Sequence, residues 1–388
     1  MTKIRARIVS FTMAMVMAVG LLAGCGGAGN QQTSTNDSKK LGDLKYVDSI
    51  ELKYAKNFTI DNYEGGYTYI KSANNDRILV VPEGASEPKN LPKGVVVIKA
   101  PVNRIYLAAS AAMALFNACG AIDNVLLSGI SEGNWYIDDA NKNMSEGKLF
   151  FAGKYNAPDY ELLLNKECQL AIESTMITHV PDVREKLEEL GIPVFMDQAS
   201  GEEHPLGRME WVKAYGALTG HLKEAVEFFD KHANEVEAVA KKESTGKTVA
   251  FFSINSAGLA VVRKTKDYVP YMIQLAGGKY IFDKLGEDSN AFSTESMSLE
   301  EFYNTARDAD IIIYNSSIEG EIKTVNELIS KSNILKDMKA VKEGNVWCAA
   351  KDMYQATDAI ADIILDMRSV FTNDAEGLKT LKYIYKLQ

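Results

Sequence analysis

Histidine and cysteine are scarce in this 388-residue chain, four of each, and that scarcity excludes several chemistries. His179, His204, His221 and His232 are the only imidazoles, and the last two fall on one helical stretch, about 16 Å apart at 1.5 Å per residue. They cannot share an ion, whereas a zinc or manganese site gathers three or four convergent ligands, so neither a bare metal ion nor an intrinsic cofactor is expected. Cys119, Cys168 and Cys348 lie in apolar contexts and are too few for a disulfide scaffold; free thiols are the expectation. Positive charge is short as well. Lys and Arg number 43 against 52 Asp and Glu, a formal net charge of −9, which makes nucleic acid a poor partner. No His-Glu-x-x-His pair occurs, and Ala276-Gly277-Gly278-Lys279 is not followed by Ser or Thr as a phosphate-cradling loop requires. No short repeat is visible, which sets a solenoid aside.

What is present starts at the first residues. Lys3, Arg5 and Arg7 precede an almost uncharged apolar run, Ile8 to Ala23, which small residues close at Leu22-Ala23-Gly24-Cys25. That order reads as a secretory signal, and the run is short of the roughly 20 apolar residues that a spanning helix wants. The tetrapeptide resembles a bacterial lipobox, in which the cysteine receives a diacylglycerol thioether and becomes the first mature residue. Residues 1–24 are then the leader and Cys25 the lipidated residue, held at the extracytoplasmic face of the cell membrane, since two acyl chains anchor where one binds only marginally. Loss of the leader, with three positive and no negative charges, moves the net charge from −9 to −12. Gly26 to Lys40 carries no large apolar residue, and residues 25–45 are expected to form a disordered tether.

The remainder, in a chain that is 46% hydrophobic and 24% charged, has ample material for a core and a length suited to two lobes. Tyr67 to Lys71 and Arg77 to Val81 flank Asn74-Asn75-Asp76 and read as an antiparallel hairpin. Strands at Val95, Val125, Cys168 and Ile192 alternate with helical patterns over Ala108–Cys119, Tyr160–Leu164 and Val183–Leu190, a rhythm that implies an α/β fold with a parallel sheet covered on both faces. From Gly207 to Lys242 no proline occurs, and Trp211, Tyr215, Leu218, Leu222, Val226 and Phe229 recur at three- and four-residue steps. This predicts one long amphipathic helix, with Gly216 or Gly220 as its point of irregularity. The β/α pattern resumes at Val249, Leu259, Tyr268, Ile311 and Val346. Two α/β lobes, 46–206 and 243–388, joined by a helix over 207–242, is the simplest architecture.

Three strings, Gly153-Lys-Tyr-Asn-Ala-Pro-Asp-Tyr-Glu, Cys168-Gln-Leu-Ala-Ile-Glu-Ser-Thr and His204-Pro-Leu-Gly-Arg-Met-Glu-Trp, resemble the substrate-binding lipoproteins of iron-complex (siderophore or haem) and cobalamin ABC importers. The resemblance runs from about residue 95 to 370. It implies two Rossmann-like lobes bridged by a single rigid helix, a ligand cleft between them, no enzymatic activity, a monomer, and an ABC permease with its ATPase as transient partner. It also implies one exposed glutamate per lobe that docks against permease arginines: Glu161, and Glu300 or the adjacent Glu301. Carboxylates in a first helical turn also complement the helix dipole, which is a sufficient structural reason for them on its own.

In open α/β sheets ligands collect outside the carboxyl ends of the strands. The loops placed there offer Trp135, Tyr136 and Tyr155 as rings, Ser174 and Thr175 as hydroxyls, and His204, Arg208 and Arg263 as cations or near-cations. Ring stacking and bidentate guanidinium contacts suit a flat, partly anionic metal chelate or corrinoid. A surface adhesin or sensory lipoprotein on the same fold is the alternative, and a secreted hydrolase the less favoured one.

Overall fold

The computed structural model describes residues 39–287 and 294–388; the leader, Cys25 and the tether as far as residue 38 lie outside them. Leu41 is buried against Tyr63, Leu79 and Val81, so the packed body begins earlier than the expected tether boundary at residue 45.

Short alternating runs build the first sheet. Phe58–Tyr63 alternates inward Phe58 and Ile60 with outward Thr59, the period-2 pattern of a half-buried strand. Asn75, at φ +73°, turns the chain so that Tyr67–Ser72 pairs antiparallel with Arg77–Val81, as the sequence predicts. Tyr46–Ser49 and Val96–Lys99 complete a five-stranded sheet in sequential order, antiparallel except for its last pair. This sheet, which occupies the start of the expected first α/β lobe, was not anticipated as a separate layer.

The second sheet is wholly parallel, in the order Val194–Asp197, Leu170–Ser174, Ile105–Leu107, Val125–Ser128, Phe150–Phe151. Its strands, apart from the edge strand Phe150–Phe151, are buried on both faces, with Ile172 in the main core and Ala171 in a second cluster, and they accordingly read as largely apolar runs. Chain order reverses at Ile105–Leu107: the strands that follow go first to one side of it and then to the other. That reversal opens a crevice beside it at the carboxyl ends of the strands. The third sheet centres on Thr248–Ile254, parallel to Ile311–Asn315 and through it to Val346–Ala349, with Ala260–Arg263, Thr294–Met297 and Ile384–Lys386 added antiparallel. The mixed α/β class and two parallel-sheet lobes are as expected.

The single helix over 207–242 is not what the structure shows. Three helices stand there: Pro205–Glu210, Val212–Thr219 and Leu222–Ala240. Gly220 adopts φ +82°, a left-handed cap that costs a residue with a Cβ dearly, and His221 follows outside helical geometry. The helices on either side of this break pack against each other. Val212–Thr219 lies on the Ala112–Ala118 helix of the first lobe, where Tyr215 stacks on Phe116 at 4.6 Å. Leu222–Ala240, 19 residues and about 28 Å long at 1.5 Å per residue, packs on the second lobe through Tyr268–Leu275 and Ile360–Thr372.

Candidate ligand-binding site

The crevice is lined from both lobes. After Ile105–Leu107 come Ala109 and Ser110, at the end of Leu170–Ser174 stands the Ser174 hydroxyl, and after Val194–Asp197 come Ala199 and Ser200. From the second lobe Tyr268 and the segment Met353 to Ile363 close a cavity of about 150 Å³. Ser174 Oγ caps the turn that follows it by accepting the Met176 N–H at 3.3 Å. Asp197 is buried at the cavity wall and accepts the Ala199 N–H at 2.6 Å; burial raises its pKa, and the Ala199 amide opposes that rise. Arg208 donates to the carbonyls of Ser200 (2.7 Å) and Glu202 (3.3 Å), and its guanidinium lies 3.9 Å from the centre of the Tyr268 ring. This cation–π contact joins the lobes, and burial lowers the Arg208 pKa from its ordinary value.

Two further cavities open on the same seam. One, of about 410 Å³, lies between Lys53–Lys56, Glu202–His204 and Thr265–Tyr271. The other, of about 280 Å³, is bounded by Tyr136, Asp138, Asp139, Asp352, Gln355 and Asp358 among others. Gln355, 1% exposed, clips the lobes there: its Oε1 accepts the Tyr136 N–H at 2.8 Å and its Nε2 donates to the Asn134 carbonyl at 3.1 Å.

Behind the seam the segment Lys53–Asn57 is held by two buried carboxylates. Glu210 accepts the N–H groups of Lys53, Tyr54 and Ala55 at 2.8–2.9 Å, and also the Lys213 ammonium at 2.8 Å. Glu202 accepts those of Lys56 and Asn57 and the Trp211 indole N–H. Gly207 permits the close approach, since a Cβ there would stand 3.2 Å from the Tyr54 carbonyl oxygen.

Of the residues proposed from sequence, Ser174 and Arg208 meet in the inter-lobe cavity, His204 stands in the second and Tyr136 in the third. Tyr136 is 40% exposed and meets Tyr354 edge-on at 5.8 Å. Trp135, by contrast, is a core side chain, 3% exposed among the apolar residues of the first lobe, where its ring serves packing. Tyr155 sits at the turn between Gly153–Lys154 and Ala157–Pro158, and Thr175 begins the turn after Ser174; neither lines a seam cavity described above. Arg263 pairs with Asp267 at 3.5 Å, its guanidinium 5.9 Å from the Tyr268 ring. Glu161, Glu300 and Glu301 are exposed in the first turns of Tyr160–Asn165 and Leu299–Ala306. Sequence reasoning missed Tyr268, Met353, Gln355 and Ile360 as seam residues.

A family model described as periplasmic binding protein matches residues 110–352, most of the two lobes. The chain belongs to that family. It is 27% identical over 418 aligned positions to an uncharacterized lipoprotein of Methanocaldococcus jannaschii, covering 97% of this chain and 96% of the relative. Among solved structures it resembles the periplasmic haem-binding protein of Vibrio cholerae (TM-score 0.55, 18% identity, 67% of this chain and 96% of that one). It also resembles the periplasmic vitamin B12-binding protein of the same organism (TM-score 0.50, 16% identity, 70% and 98%). The five-stranded sheet that precedes residue 100 lies outside the family match.

Membership in a family of binding proteins agrees with the chemistry of the seam. Gly129-Ile130-Ser131-Glu132-Gly133 does spell the Gly-x-Ser-x-Gly string of a nucleophile elbow and follows a strand. An elbow turns directly into a helix, however, and the next one here begins only at Asp138; the Ser131 hydroxyl accepts from Asn134 Nδ2 at 2.9 Å. Among the described residues no group of three or more His, Cys, Asp and Glu is placed to hold a metal ion.

Proposed function

We propose that this protein is an extracytoplasmic solute-binding lipoprotein, anchored through Cys25, that captures an iron complex (siderophore or haem) or a cobalamin-like corrinoid and delivers it to an ABC importer permease. The observation that carries this reading is the cavity at the carboxyl ends of the parallel strands, walled by both lobes and bearing Ser174, Asp197 and the Arg208–Tyr268 stack. An aromatic ring beside a guanidinium suits a conjugated ligand with peripheral carboxylates. The names of the structural neighbours support the same class of solute, and the lipoprotein relative supports the anchor. At about 150 Å³ the cavity is smaller than the ~300–1,000 Å³ usual for small-molecule pockets, so a chelate enters with the lobes parted. Glu161 and Glu300 are the proposed permease contacts, one per lobe.

The test is direct titration of the folded protein with haemin, a ferric hydroxamate and cyanocobalamin, followed by tryptophan fluorescence and absorbance. One of these compounds binds at micromolar concentration or tighter, and Arg208→Ala weakens it at least tenfold. Failure of all three to bind, with the fold intact, refutes the solute class.

A further inference from the structure

We propose that Asp197 and Arg208 together make the inter-lobe cavity selective for a peripheral carboxamide, so that the solute it takes is an amide-bearing corrinoid rather than a carboxylate-bearing haem. This rests on the function proposed above and narrows it. Arg208 by itself suits a carboxylate. The residue that changes the balance is Asp197, which lines the same cavity.

Among the described residues, Asp197 and Arg208 are the only acid and the only base on the cavity wall, so its formal charges cancel; the rest of the lining is hydroxyl, aromatic or apolar. The two are not spent on each other, since no ion pair joins them. Asp197, 6% exposed, accepts the Ala199 N–H at 2.6 Å. Burial raises its pKa, and the Ala199 amide, the neighbouring Tyr215 hydroxyl and the Arg208 charge all pull it back toward the ionised form. An ionised carboxylate has about four lone-pair sites, so even with Ala199 and Tyr215 both counted Asp197 keeps acceptor capacity for a ligand. Arg208 donates to the Glu202 and Ser200 carbonyls through Nε and Nη2, which leaves Nη1 without a hydrogen-bond partner among the described residues. Ser174 Oγ accepts the Met176 N–H, so its own proton is free to donate.

A wall with a buried acceptor and a buried donor, both with unused capacity, calls for a ligand group that donates and accepts at once. A carboxamide does so: its oxygen accepts from Arg208 or Ser174, its NH2 donates to Asp197, and it carries no charge into a wall whose own charges cancel. A carboxylate satisfies Arg208 but sets a second negative charge against Asp197, or enters only with a proton to share. It also leaves Asp197 stripped of water with no new donor. Haem bears carboxylates at its rim, whereas a corrinoid bears acetamides and propionamides. With the lobes closed, the cavity of about 150 Å³ gives room for one such side chain rather than for a macrocycle.

Three corrinoids that share one ring test this on the full folded protein by isothermal titration at pH 7: dicyanocobinamide, which carries amides, dicyanocobyrinic acid, which carries carboxylates, and the heptamethyl ester of that acid, which keeps the carbonyls and lacks the N–H groups. Dicyanocobinamide binds at micromolar concentration or tighter, and the acid, the ester and haemin each bind at least tenfold more weakly. The order holds in about 0.5 M salt, which screens the general repulsion between an acidic chain and an anion far more than a contact inside the cavity. Asp197→Asn, similar in size and uncharged, narrows the gap between amide and acid severalfold, whereas Arg208→Ala widens it. If Asp197→Asn does not fold, the ester comparison on the wild type decides in its place. Equal binding of amide and acid, an ester as tight as the amide, a gap that Asp197→Asn leaves unchanged, or binding of haemin or a ferric hydroxamate with no corrinoid bound overturns the inference and leaves the proposed function standing. No binding by any of these compounds overturns both.

Discussion

Glu210→Ala removes the charge on which the Lys53–Asn57 wall depends. The carboxylate is fully buried and holds three amides and the Lys213 ammonium, itself 4% exposed, at 2.8–2.9 Å. Deleting one partner of a buried ion pair costs about 3–5 kcal/mol, because the other charge stays behind uncompensated. Of the three amides only Ala55 belongs to a buried residue, and orphaning it adds about 1–3 kcal/mol; those of Lys53 and Tyr54 can turn to water. Lys213 keeps its bond to the Glu51 carbonyl at 3.0 Å, which offsets part of the loss. The expected destabilisation is therefore about 4–6 kcal/mol, a large fraction of the ~5–15 kcal/mol that holds a domain folded. Urea unfolding followed by circular dichroism at pH 7 measures it. The double variant Glu210→Ala/Lys213→Met recovers about half of the cost, since a buried pair replaced by apolar groups is close to neutral. A loss below about 1 kcal/mol in the single variant, or a double variant no more stable than the single, refutes this account of the anchor.

Glu173 is fully buried with neither oxygen hydrogen-bonded among the described residues, and burial raises its pKa to about 8. The folded state holds this proton more tightly than the unfolded one, so stability falls as pH rises from about 4.5 to about 8 and is level above that. Glu173→Leu removes the slope, and the difference from wild type in urea unfolding grows across that window toward a ceiling of about 5 kcal/mol; a constant difference would mean that the carboxyl is solvated. Gln355→Ala unlatches the lobes at a cost of about 1–3 kcal/mol, which speeds ligand dissociation in stopped flow roughly tenfold; an unchanged rate rejects the clip. Glu161→Lys with Glu300→Lys abolishes uptake in cells while binding by the purified protein persists, and normal uptake eliminates both as permease contacts.

Much of the parallel framework was legible because its strands are short apolar runs between turn residues: Val125–Ser128 and Val346–Ala349 begin at the residues that the sequence predicts. Ile105–Leu107, the strand at which chain order reverses, is three residues long and leaves no periodic signal. Thr294–Met297 is mostly polar, and Asp61 and Asn62 dilute the pattern of Phe58–Tyr63. The first-lobe side of the cavity was legible at Ser174, the last residue of its strand, and at Arg208, in the helix that follows the loop after Val194–Asp197. The second-lobe side was not, because Tyr268, Gln355 and Ile360 reach the seam through tertiary contact and no local spacing records it. The break at Gly220 escaped for a related reason. Two helices folded against each other on one core keep the same three- and four-residue apolar step as a single rod, and only the left-handed residue between them marks the reversal.

That reversal changes how the lobes can move. A continuous helix rooted in both lobes would carry any opening as bending strain, whereas here the chain breaks at Gly220–His221 and the long helix packs both on Val212–Thr219 and on the second lobe. Resistance to opening then comes from the contacts that cross the seam. The Arg208–Tyr268 stack contributes about 0.5–2 kcal/mol. The two bonds of Gln355 contribute about 1–3 kcal/mol. Both line or adjoin the ligand cavity, while the Glu210 anchor lies behind it on the Lys53–Ala55 side. Parting the lobes at the cavity mouth breaks the first two and leaves the anchor whole, so these two contacts add a few kcal/mol to the gate of the cleft. Under the proposed function a solute opens it by exceeding the cost of the seam contacts in differential affinity for the parted state, with contacts to Arg208 and Tyr268 replacing the ones that were broken.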